Sequence, residues 1–449
     1  KVGKKLDLEA TNTKGKYLKD FTPEELVLMT DYNKVDTDLC AELFTKLVKG
    51  FPKQELFIID MTTRMLVEPK FVLNTKMVDD ALEAVMAEKA KGLQDLYDML
   101  YDQTEQVVRA LEGGPDPEEF VRSTMASAAK FGELLATRGV TVPMKQSPTN
   151  PAKMTPALAK TDEAFIKLQD HEDPVVAAAA RVRLDVKSTL LETRLEAFKK
   201  AAAVCGGLLP VPLKYAGADT TGRWSGEQYN MQNLPRINPK TPKASDALRN
   251  SLRAPKKHKV VVADLSGIEL RVNHFLWKVK QSMDLYNNDV EADLYKSFAA
   301  ARYGIDESEV TKDRRQLAKI AQLGLGFGAG APTFRKVAKL MGGLELSEAE
   351  SLDVVTAWRD TYHDIVKGWK SFQSSLPNIQ QGIETAIDPW GLCITEKNAV
   401  RLPSGRRIYY PELVREVDNG KSEWWYGQGR ARARIYAGKG VENLVQALA

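Results

Sequence analysis

Apolar residues recur at helical spacing along much of the chain. In residues 31–48, DYNKVDTDLCAELFTKLV, they form one face of a helix, made by Leu39, Ala41, Leu43, Phe44 and Leu47. Residues 75–135 are rich in Ala, Leu, Met, Glu and Lys and predict long amphipathic helices, interrupted at EGGPDP. After the turn-rich residues 142–162, another helical run extends to about Ala203. Taken alone, this block predicts a helical scaffold.

The pattern changes from Gly206 onward, where Pro, Gly and Asn punctuate the sequence. Helical spacing returns over residues 291–370, and residues 387–412 predict a β-hairpin region with PSGRR as its turn. The chain starts at Lys1 and stops at VENLVQALA, inside what the pattern predicts to be an apolar helix without a stop signal. We therefore expect a fragment of a longer protein.

One short stretch, VVVADLSGIELRVNHFL, predicts a strand that leads into a carboxylate. Three β-branched valines and Ala263 are typical of a strand buried on both faces, and the strand would end at Asp264. A carboxylate at the end of a strand is a common position for a metal ligand. Taken alone, a strand that stops at a surface turn is the simpler interpretation.

A second stretch, TKDRRQLAKIAQLGLGFGAGAP, predicts a helix that begins at the cap Thr311 and ends before Pro332. Along it a stripe recurs every four residues, formed by Arg315, Lys319, Leu323 and Phe327. Two cations followed by an apolar and an aromatic residue suit a ligand with phosphates at one end and a flat ring at the other. A nucleotide is such a ligand, and an amphipathic helix with a basic first turn is the alternative.

Length and composition limit the number of domains, the redox compartment and the membrane association that we expect. The 449 residues predict two to four domains, and 43% hydrophobic with 28% charged residues is ordinary for a globular protein in solution. Three widely spaced cysteines, Cys40, Cys205 and Cys393, indicate a reducing compartment and neither disulfides nor a zinc site. No apolar run approaches the roughly 18 residues of a membrane helix. We therefore expect a cytoplasmic protein without membrane association.

Basic residues crowd between residues 236 and 259, opposed there by Asp246 alone. They are Arg236, Lys240, Lys243, Arg249, Arg253, Lys256, Lys257 and Lys259. The whole chain carries a net charge of +4, which permits an anionic partner without requiring one. The run is compatible with a solvated basic face and with a surface that follows phosphates.

Four segments, in this order along residues 221–449, resemble the family A DNA polymerases. TGRWSGEQYNMQNLPR resembles the segment that holds the primer–template, DLSGIELR resembles motif A, RRQLAKIAQLGLGFG resembles motif B, and GVENLVQALA resembles the palm helix after the fingers. TPALAKTD and VKSTLLETR resemble the phage branch of the family. The resemblance implies an α+β right-hand fold with a palm sheet, helical fingers and thumb, preceded by the tail of an RNase H-like 3′–5′ exonuclease domain.

The resemblance also implies a division of the chain into five segments. Residues 1–55 would be the exonuclease remnant, 56–205 a helical region that contains the thumb, 206–290 the palm with motif A, 291–385 the fingers, and 386–449 a second part of the palm. The expected activity is DNA-templated DNA synthesis in phage genome replication, with proofreading by the parent protein. The expected partners are primer–template DNA, dNTPs and a processivity factor or helicase-primase, with the protein itself a monomer.

Residue roles follow from the same resemblance. Asp264 would bind two catalytic Mg²⁺ ions, with the carbonyl of Leu265 also on metal. Arg315 and Lys319 would hold the triphosphate, with Leu323 in the nucleotide site and Phe327 near the templating pair. Glu269 would lie against the sugar C2′ and exclude a 2′-hydroxyl. The remaining candidates contact primer–template DNA and comprise Arg223, Gln232, Asn233 and Gln446.

Two further motifs of the family bear on these expectations, one from the exonuclease and one from the palm. YNKVD resembles the last motif of the proofreading exonuclease, in which Asp36 would bind a divalent metal and Tyr32 would orient the attacking water. The His-Asp-Glu motif that carries the family's second palm aspartate does not occur in the sequence after the palm helix, and YHDI at 362–365 precedes that helix. DLE at 7–9 is interpreted as surface charge because it lies too close to Tyr32.

Two rival functions stay open. A single-subunit RNA polymerase is disfavoured by Glu269, because a ribonucleotide needs room at C2′. A non-catalytic DNA-binding remnant is disfavoured by the intact polar set of Asp264, Glu269, Arg315 and Lys319.

Overall fold

The computed structural model describes residues 20–101, 105, 113–114, 116–147, 153–237, 243–418, 420–429 and 432–449. The DLE segment at 7–9 and Lys240 lie outside the described residues. The chain forms two compact units, one over Thr62–Ser266 and the other over Gly267–Ala449 together with the residues up to Met61. The finer division into five segments stays a prediction.

Helices dominate the chain before residue 267. They are α1 (Pro23–Leu47), α2 (Lys53–Val67), α3 (Thr75–Leu100), α4 (Pro117–Ala126), α5 (Ala128–Thr137), α6 (Glu163–Leu168), α7 (Pro174–Lys187), α8 (Leu190–Val204) and α9 (Ala247–Asn250). Short 3₁₀ turns cover Met231–Asn233 and Ala244–Asp246. The amphipathic helices predicted over 75–135 are confirmed where the structure describes them, since Val78, Val85 and Leu96 of α3 are buried.

Short antiparallel strands connect these helices. They are β1 (Phe71–Leu73), β2 (Met144–Gln146), β3 (Met154–Pro156), β4 (Leu208–Leu209), β5 (Leu213–Lys214), β6 (Ser225–Gly226) and β7 (Leu252–Arg253). β1 lies between β4 and β7 in a three-stranded sheet, while β2 pairs with β3 and β5 with β6. Two apolar cores result. One gathers α3 to α7 around Phe131 and Phe165, and the other packs α8 and α9 near the β1 sheet around Phe198 and Tyr229.

The unit that contains Gly267–Ala449 is mostly helical, with hairpins near its end. Its helices are α10 (Ile268–Leu276), α11 (Lys280–Asn288), α12 (Leu294–Tyr303), α13 (Lys312–Leu325), α14 (Ala331–Gly342), α15 (Glu348–Thr361), α16 (His363–Gln381) and α17 (Ala437–Leu448), with a 3₁₀ turn at Glu307–Glu309. Its strands are β8 (Ile394–Glu396), β9 (Ala399–Arg401), β10 (Arg407–Tyr409), β11 (Val414–Asp418), β12 (Lys421–Tyr426) and β13 (Ala433–Ile435). One core, centred on Trp358, Phe372 and Tyr410, joins these helices and hairpins.

The hairpin predicted over 387–412 is confirmed. β9 pairs antiparallel with β10 in the register Arg401↔Arg407, and the backbone N–H of Leu402 donates to the carbonyl of Arg406 at 2.8 Å. Gly405 in the turn has a φ of 82°, a conformation that favours glycine. The turn chemistry of PSGRR was therefore sufficient to locate the hairpin.

The buried strand predicted at Val260–Ala263 is wrong. Residues 258–265 form neither helix nor strand, and Val261 and Val262 are 87% and 88% exposed. A strand is stable only when its backbone pairs with a neighbour, and no other segment of the described residues pairs with this one. The β-branched residues favour an extended backbone, but a stable strand also needs a neighbouring strand for its backbone hydrogen bonds.

Two expectations from composition can be compared with the structure. Cys40, Cys205 and Cys393 are all free thiols, as their spacing predicted. Among the helices that the structure describes, none has the length and apolar character to cross a membrane.

Candidate functional site

Helix α13 presents two different faces. Thr311 caps its first turn by accepting the backbone N–H of Arg314, which confirms the predicted start. Ala318, Ile320, Ala321 and Leu325 are buried against the core. The opposite face carries Arg315 and Lys319, both half-buried, followed by Leu323, which is 42% exposed. The stripe of cation, cation and apolar residue therefore lies on one accessible face of a well-anchored helix.

The helix ends before Pro332, as predicted, but too early to include Phe327, the last residue of the predicted stripe. The helix stops at Leu325, so Phe327 lies beyond it, and Pro332 belongs to the first turn of α14. The reason is that the Gly326 carbonyl accepts the side-chain N–H groups of Asn273 at 3.3 Å and Trp369 at 3.1 Å. These tertiary bonds satisfy a carbonyl at the helix end, and Gly328 then turns the chain with a φ of 86°.

Two glycines of α17 allow close packing, one against the segment that follows α13 and the other against α16. A Cβ at Gly438 would overlap the carbonyl oxygen of Phe327, and one at Gly440 would overlap the Phe372 ring. Phe327 itself is partly buried against the core. Sequence reasoning identified GVENLVQALA as a helix but missed this packing, for which the spacing of the two glycines in GKG was the available signal.

Arg315 is held by an acidic residue that sequence reasoning missed. Its Nε donates to Oδ2 of Asp293 at 2.6 Å, and the guanidinium carbon lies 5.5 Å from the centre of the Tyr295 ring. Asp293 is also the cap of α12, because its Oδ1 accepts the backbone N–H groups of Tyr295 and Lys296 at 3.0 and 3.2 Å. An aspartate directly before the helical run LYKSFAAARY was the available sequence signal for the cap, but not for the ion pair.

A buried polar network lies behind α13. The side-chain amide of Gln322 donates to the Tyr362 hydroxyl at 2.6 Å and accepts the indole N–H of Trp358 at 3.0 Å. Gln322 is 3% exposed and Trp358 is fully buried. Tyr362 lies at the junction of α15 and α16, so the YHDI segment is part of this helical support. Burial raises the pKa of the Tyr362 hydroxyl, which therefore stays protonated.

Helix α10 carries Glu269 in its first turn, half-buried, and Asn273 on the side that contacts Gly326. The motif A helix and the end of the motif B helix are thus joined by a side-chain hydrogen bond. In the same helix, His274 is 1% exposed and its Nδ1 lies 2.7 Å from the Ser282 hydroxyl. Burial lowers the pKa of His274 to about 3, so this imidazole is neutral.

Asp264 and Leu265 belong to the other compact unit, in the irregular segment before Gly267. Both are exposed, and Leu265 is 68% exposed. Across the described ranges, no group of three or more His, Cys, Asp or Glu side chains is placed to hold a metal ion. The described residues therefore supply Asp264 as a candidate ligand without completing a metal site around it.

The predicted DNA-contacting residues are distributed over two surfaces. Arg223, Gln232 and Asn233 are exposed in the unit Thr62–Ser266, and the carbonyl of Asn233 accepts Nη1 of Arg194 at 3.0 Å. Gln446 lies on α17 and donates to Glu442 at 3.4 Å.

The described cations of the basic run are all exposed. They are Arg236, Lys243, Arg249, Arg253, Lys256, Lys257 and Lys259. Asp246 is 7% exposed and accepts the backbone N–H of Lys243, so its carboxylate is directed inward.

Tyr32 and Asp36 lie one turn apart on α1, with Asp36 exposed and Tyr32 half-buried. No residue of α1 is buried, and the apolar face predicted for it is open, with Leu43, Phe44 and Leu47 between 55% and 71% exposed. The helix predicted from the apolar spacing of residues 31–48 is confirmed. Its assignment to an exonuclease stays a prediction.

The fold resembles that of a solved polymerase domain. The structure titled as the POL domain of Pol1 from M. smegmatis, in complex with DNA primer-template and dNTP, aligns with a TM-score of 0.50 and 16% identity. The alignment covers 84% of this chain and 53% of that chain. The α+β right-hand polymerase fold predicted from the sequence is therefore confirmed at the level of the fold.

Sequence comparisons give the family. Residues 102–423, more than two thirds of the chain, match the family described as DNA polymerase family A, and the chain belongs to that family. The DNA polymerase of Bacillus phage SP02 is 26% identical over 378 residues, which cover 76% of this chain and 54% of that protein. DNA polymerase I of Aquifex aeolicus is 33% identical over 190 residues, 42% of this chain and 30% of that protein. The chain thus spans about half the length of the phage relative.

Proposed function

We propose that the protein is a DNA-templated DNA polymerase that transfers a nucleotidyl group from a dNTP to a primer 3′-hydroxyl. The observation that carries the proposal is the accessible stripe of Arg315, Lys319 and Leu323 on a capped helix, in a chain that belongs to DNA polymerase family A. A solved structure of similar fold contains primer-template and dNTP, which supports the same ligands here.

The stripe suits the charge of the substrate. Arg315 can fork onto phosphate oxygens, and Lys319, one turn further, places a point charge where the leaving pyrophosphate develops negative charge. Leu323 and, beyond the helix, Phe327 offer apolar surface to the base and the templating pair. Glu269, in the first turn of α10, would exclude a 2′-hydroxyl and so favour dNTPs over ribonucleotides.

Mg²⁺ is the proposed cofactor, with the carboxylate of Asp264 and the carbonyl of Leu265 as hard oxygen ligands. When bound, Mg²⁺ would supply Lewis-acid stabilisation of the negative charge that develops in phosphoryl transfer. Among the described residues, no group of three or more His, Cys, Asp or Glu side chains forms around Asp264, so these residues do not supply a complete donor set for the metal. The proposed work of this chain is to bind and orient the nucleotide and the DNA.

Primer–template DNA would be held by Arg223, Gln232, Asn233 and Gln446, together with the exposed cations of residues 243–259. Similarity to the DNA polymerase of Bacillus phage SP02 supports a role in phage genome replication. The proofreading role of Tyr32 and Asp36 belongs to the same proposal for the longer protein.

A non-catalytic DNA-binding protein is the alternative that an experiment must separate from this proposal. In a polymerase that contains this chain, Lys319→Ala should lower the rate of single-nucleotide addition by a factor that corresponds to about 2–4 kcal/mol of transition-state stabilisation. Affinity for primer–template should not change, because the side chain faces the nucleotide. Rapid-quench primer extension and DNA-binding titrations measure the two quantities.

Lys312→Ala is the matched control, since Lys312 is exposed on the first turn of the same helix and lies outside the stripe. It should leave both quantities near wild type. A loss of DNA binding in Lys319→Ala, or equal extension by both variants, would contradict the assignment of the stripe to the nucleotide.

A further inference from the structure

Asp293 uses its two carboxylate oxygens for different purposes. Oδ1 accepts two backbone N–H groups at the start of α12, from Tyr295 and Lys296, at 3.0 and 3.2 Å. Oδ2 accepts Nε of Arg315 at 2.6 Å. Because the cap ties the carboxylate to the backbone of α12, its position is set by that helix and not by the arginine.

The contact engages only one edge of the guanidinium. An arginine offers five N–H donors in a planar fork, and Nε contributes one of them. With Nε on Asp293, the two terminal nitrogens remain as a pair that can bind a phosphate through two parallel hydrogen bonds. The Tyr295 ring, 5.5 Å from the guanidinium carbon, restricts the same group from a second direction.

We propose that Asp293 is a positioning residue, which holds Arg315 so that its terminal nitrogens face the triphosphate of the incoming nucleotide. The inference rests on the proposed polymerase function and adds to it a residue of α12. Arg315 is 40% exposed and Asp293 is 26% exposed, so a ligand can reach the arginine while the carboxylate keeps its partner. Without Asp293, the long arginine side chain must be ordered by the ligand itself, at an entropic cost.

Charge and positioning predict opposite results, which makes the proposal testable. Removing a negative charge close to a triphosphate strengthens its binding if Coulomb repulsion alone decides. Removing the anchor weakens binding if the orientation of Arg315 decides. Asp293→Asn separates the two effects, because asparagine retains a cap oxygen for α12 but presents an amide N–H to Nε, where two donors cannot pair.

The experiment uses the full 449-residue chain bound to a dideoxy-terminated primer–template with Mg²⁺. Titration with a fluorescent dATP analogue gives the dissociation constant, and the same titration with the corresponding monophosphate tests whether the effect depends on the outer phosphates. Asp293→Asn should weaken triphosphate binding about tenfold and monophosphate binding by less than about twofold, the pattern expected when an arginine no longer binds the outer phosphates through two parallel hydrogen bonds. Asp289→Asn is the control, because that carboxylate accepts the backbone N–H of Glu291 in the preceding loop.

A double-mutant cycle distinguishes positioning from a structural role. In the Arg315→Ala background, Asp293→Asn should have no further effect on triphosphate binding, since the arginine that it positions is gone. An equal loss in both backgrounds would overturn the proposal and leave Asp293 as a helix cap. Unchanged or tighter binding in the single variant would also overturn it. If the wild-type chain binds DNA but no triphosphate, the proposed function falls together with the inference.

Discussion

At the residue scale, His274 is a titratable side chain buried in the apolar core behind the candidate site. His274 is 1% exposed, and of its two ring nitrogens only Nδ1 has a hydrogen-bond partner among the described residues. A neutral imidazole tolerates this position, while an imidazolium would lack the solvation it needs. The residue therefore couples the stability of the motif A helix to pH.

Stability should fall as the pH falls below about 6.5. Burial lowers the pKa of His274 to about 3, so between these values the unfolded chain binds one proton more than the folded chain. The free energy of unfolding should lose up to about 1.4 kcal/mol per pH unit from this residue, or about 3 kcal/mol by pH 4. Urea unfolding of wild type and His274→Gln at about pH 7.5, 6 and 4.5, a range that crosses the ordinary histidine pKa, measures the difference.

The glutamine variant should show a shallower pH dependence over this window, whatever its stability at neutral pH. The same change at His258, which is exposed, serves as the control and should keep the wild-type slope. Parallel pH profiles for wild type and His274→Gln would show that His274 is not the group responsible.

At the element scale, helix α13 illustrates how one face can be set for a ligand and the other for the core. The sequence predicted its start at Thr311 and the stripe of Arg315, Lys319 and Leu323, because caps and helical periodicity are local properties. The rotation of the helix about its axis depends on the opposite face. On that face the amide N–H of Gln322 donates to Tyr362 and its amide oxygen accepts the indole N–H of Trp358. These two bonds fix the orientation of the Gln322 side chain and so help to fix the rotation of the helix.

Gln322→Leu should lower the free energy of unfolding of the unit that contains Gly267–Ala449 by about 2–4 kcal/mol. The change leaves the Trp358 N–H and the Tyr362 hydroxyl buried without partners. The change conserves much of the side-chain volume, so the loss reports the polar network more than a cavity. Chemical denaturation followed by tryptophan fluorescence gives the free energy.

Gln316→Leu provides the control for this prediction, as the same substitution on the same helix at a half-buried position. It should cost less than about 0.5 kcal/mol, as is usual for substitutions away from buried networks. Equal losses in the two variants would mean that the Gln322 bonds contribute little.

At the scale of the whole molecule, the basic run stands apart from the rest of a chain with a net charge of only +4. Its described cations are exposed, while the carboxylate in the run, Asp246, is buried as a cap. A surface of this kind attracts a polyanion through release of condensed counterions and makes affinity dependent on salt.

Binding of primer–template by the 449-residue chain should therefore weaken steeply with added salt. Replacing Lys256 and Lys259 by glutamine should lower the slope of log affinity against log salt by about 0.9 for each phosphate that the variant no longer neutralises. Fluorescence anisotropy between roughly 50 and 200 mM salt, the range over which such interactions are screened, measures the slope.

Lys46→Gln with Lys49→Gln is the charge-matched control, since both lysines are exposed near the end of α1. This pair should leave the slope unchanged. An equal reduction by both pairs would show that net charge, and not the basic run, determines DNA binding.

Short segments of the sequence by themselves determined several helices, one hairpin and the cationic stripe of this protein. The hairpin at PSGRR, the cap at Thr311, the amphipathic helices and the cationic stripe all follow from residues within a few positions of one another, and the order of four motifs was enough to indicate the family. Each of these depends on backbone preferences or periodicity that a short segment already contains.

Tertiary structure decided what depends on distant partners. Val260–Ala263 has the composition of a strand but no described neighbour to pair with, so it is irregular and exposed. The motif B helix ends at Leu325 because Asn273 and Trp369 bind the next carbonyl, and Arg315 is paired with Asp293, 22 positions earlier in the chain. Hydrogen bonds of this kind are set by the packing of separate helices, which no local sequence pattern encodes.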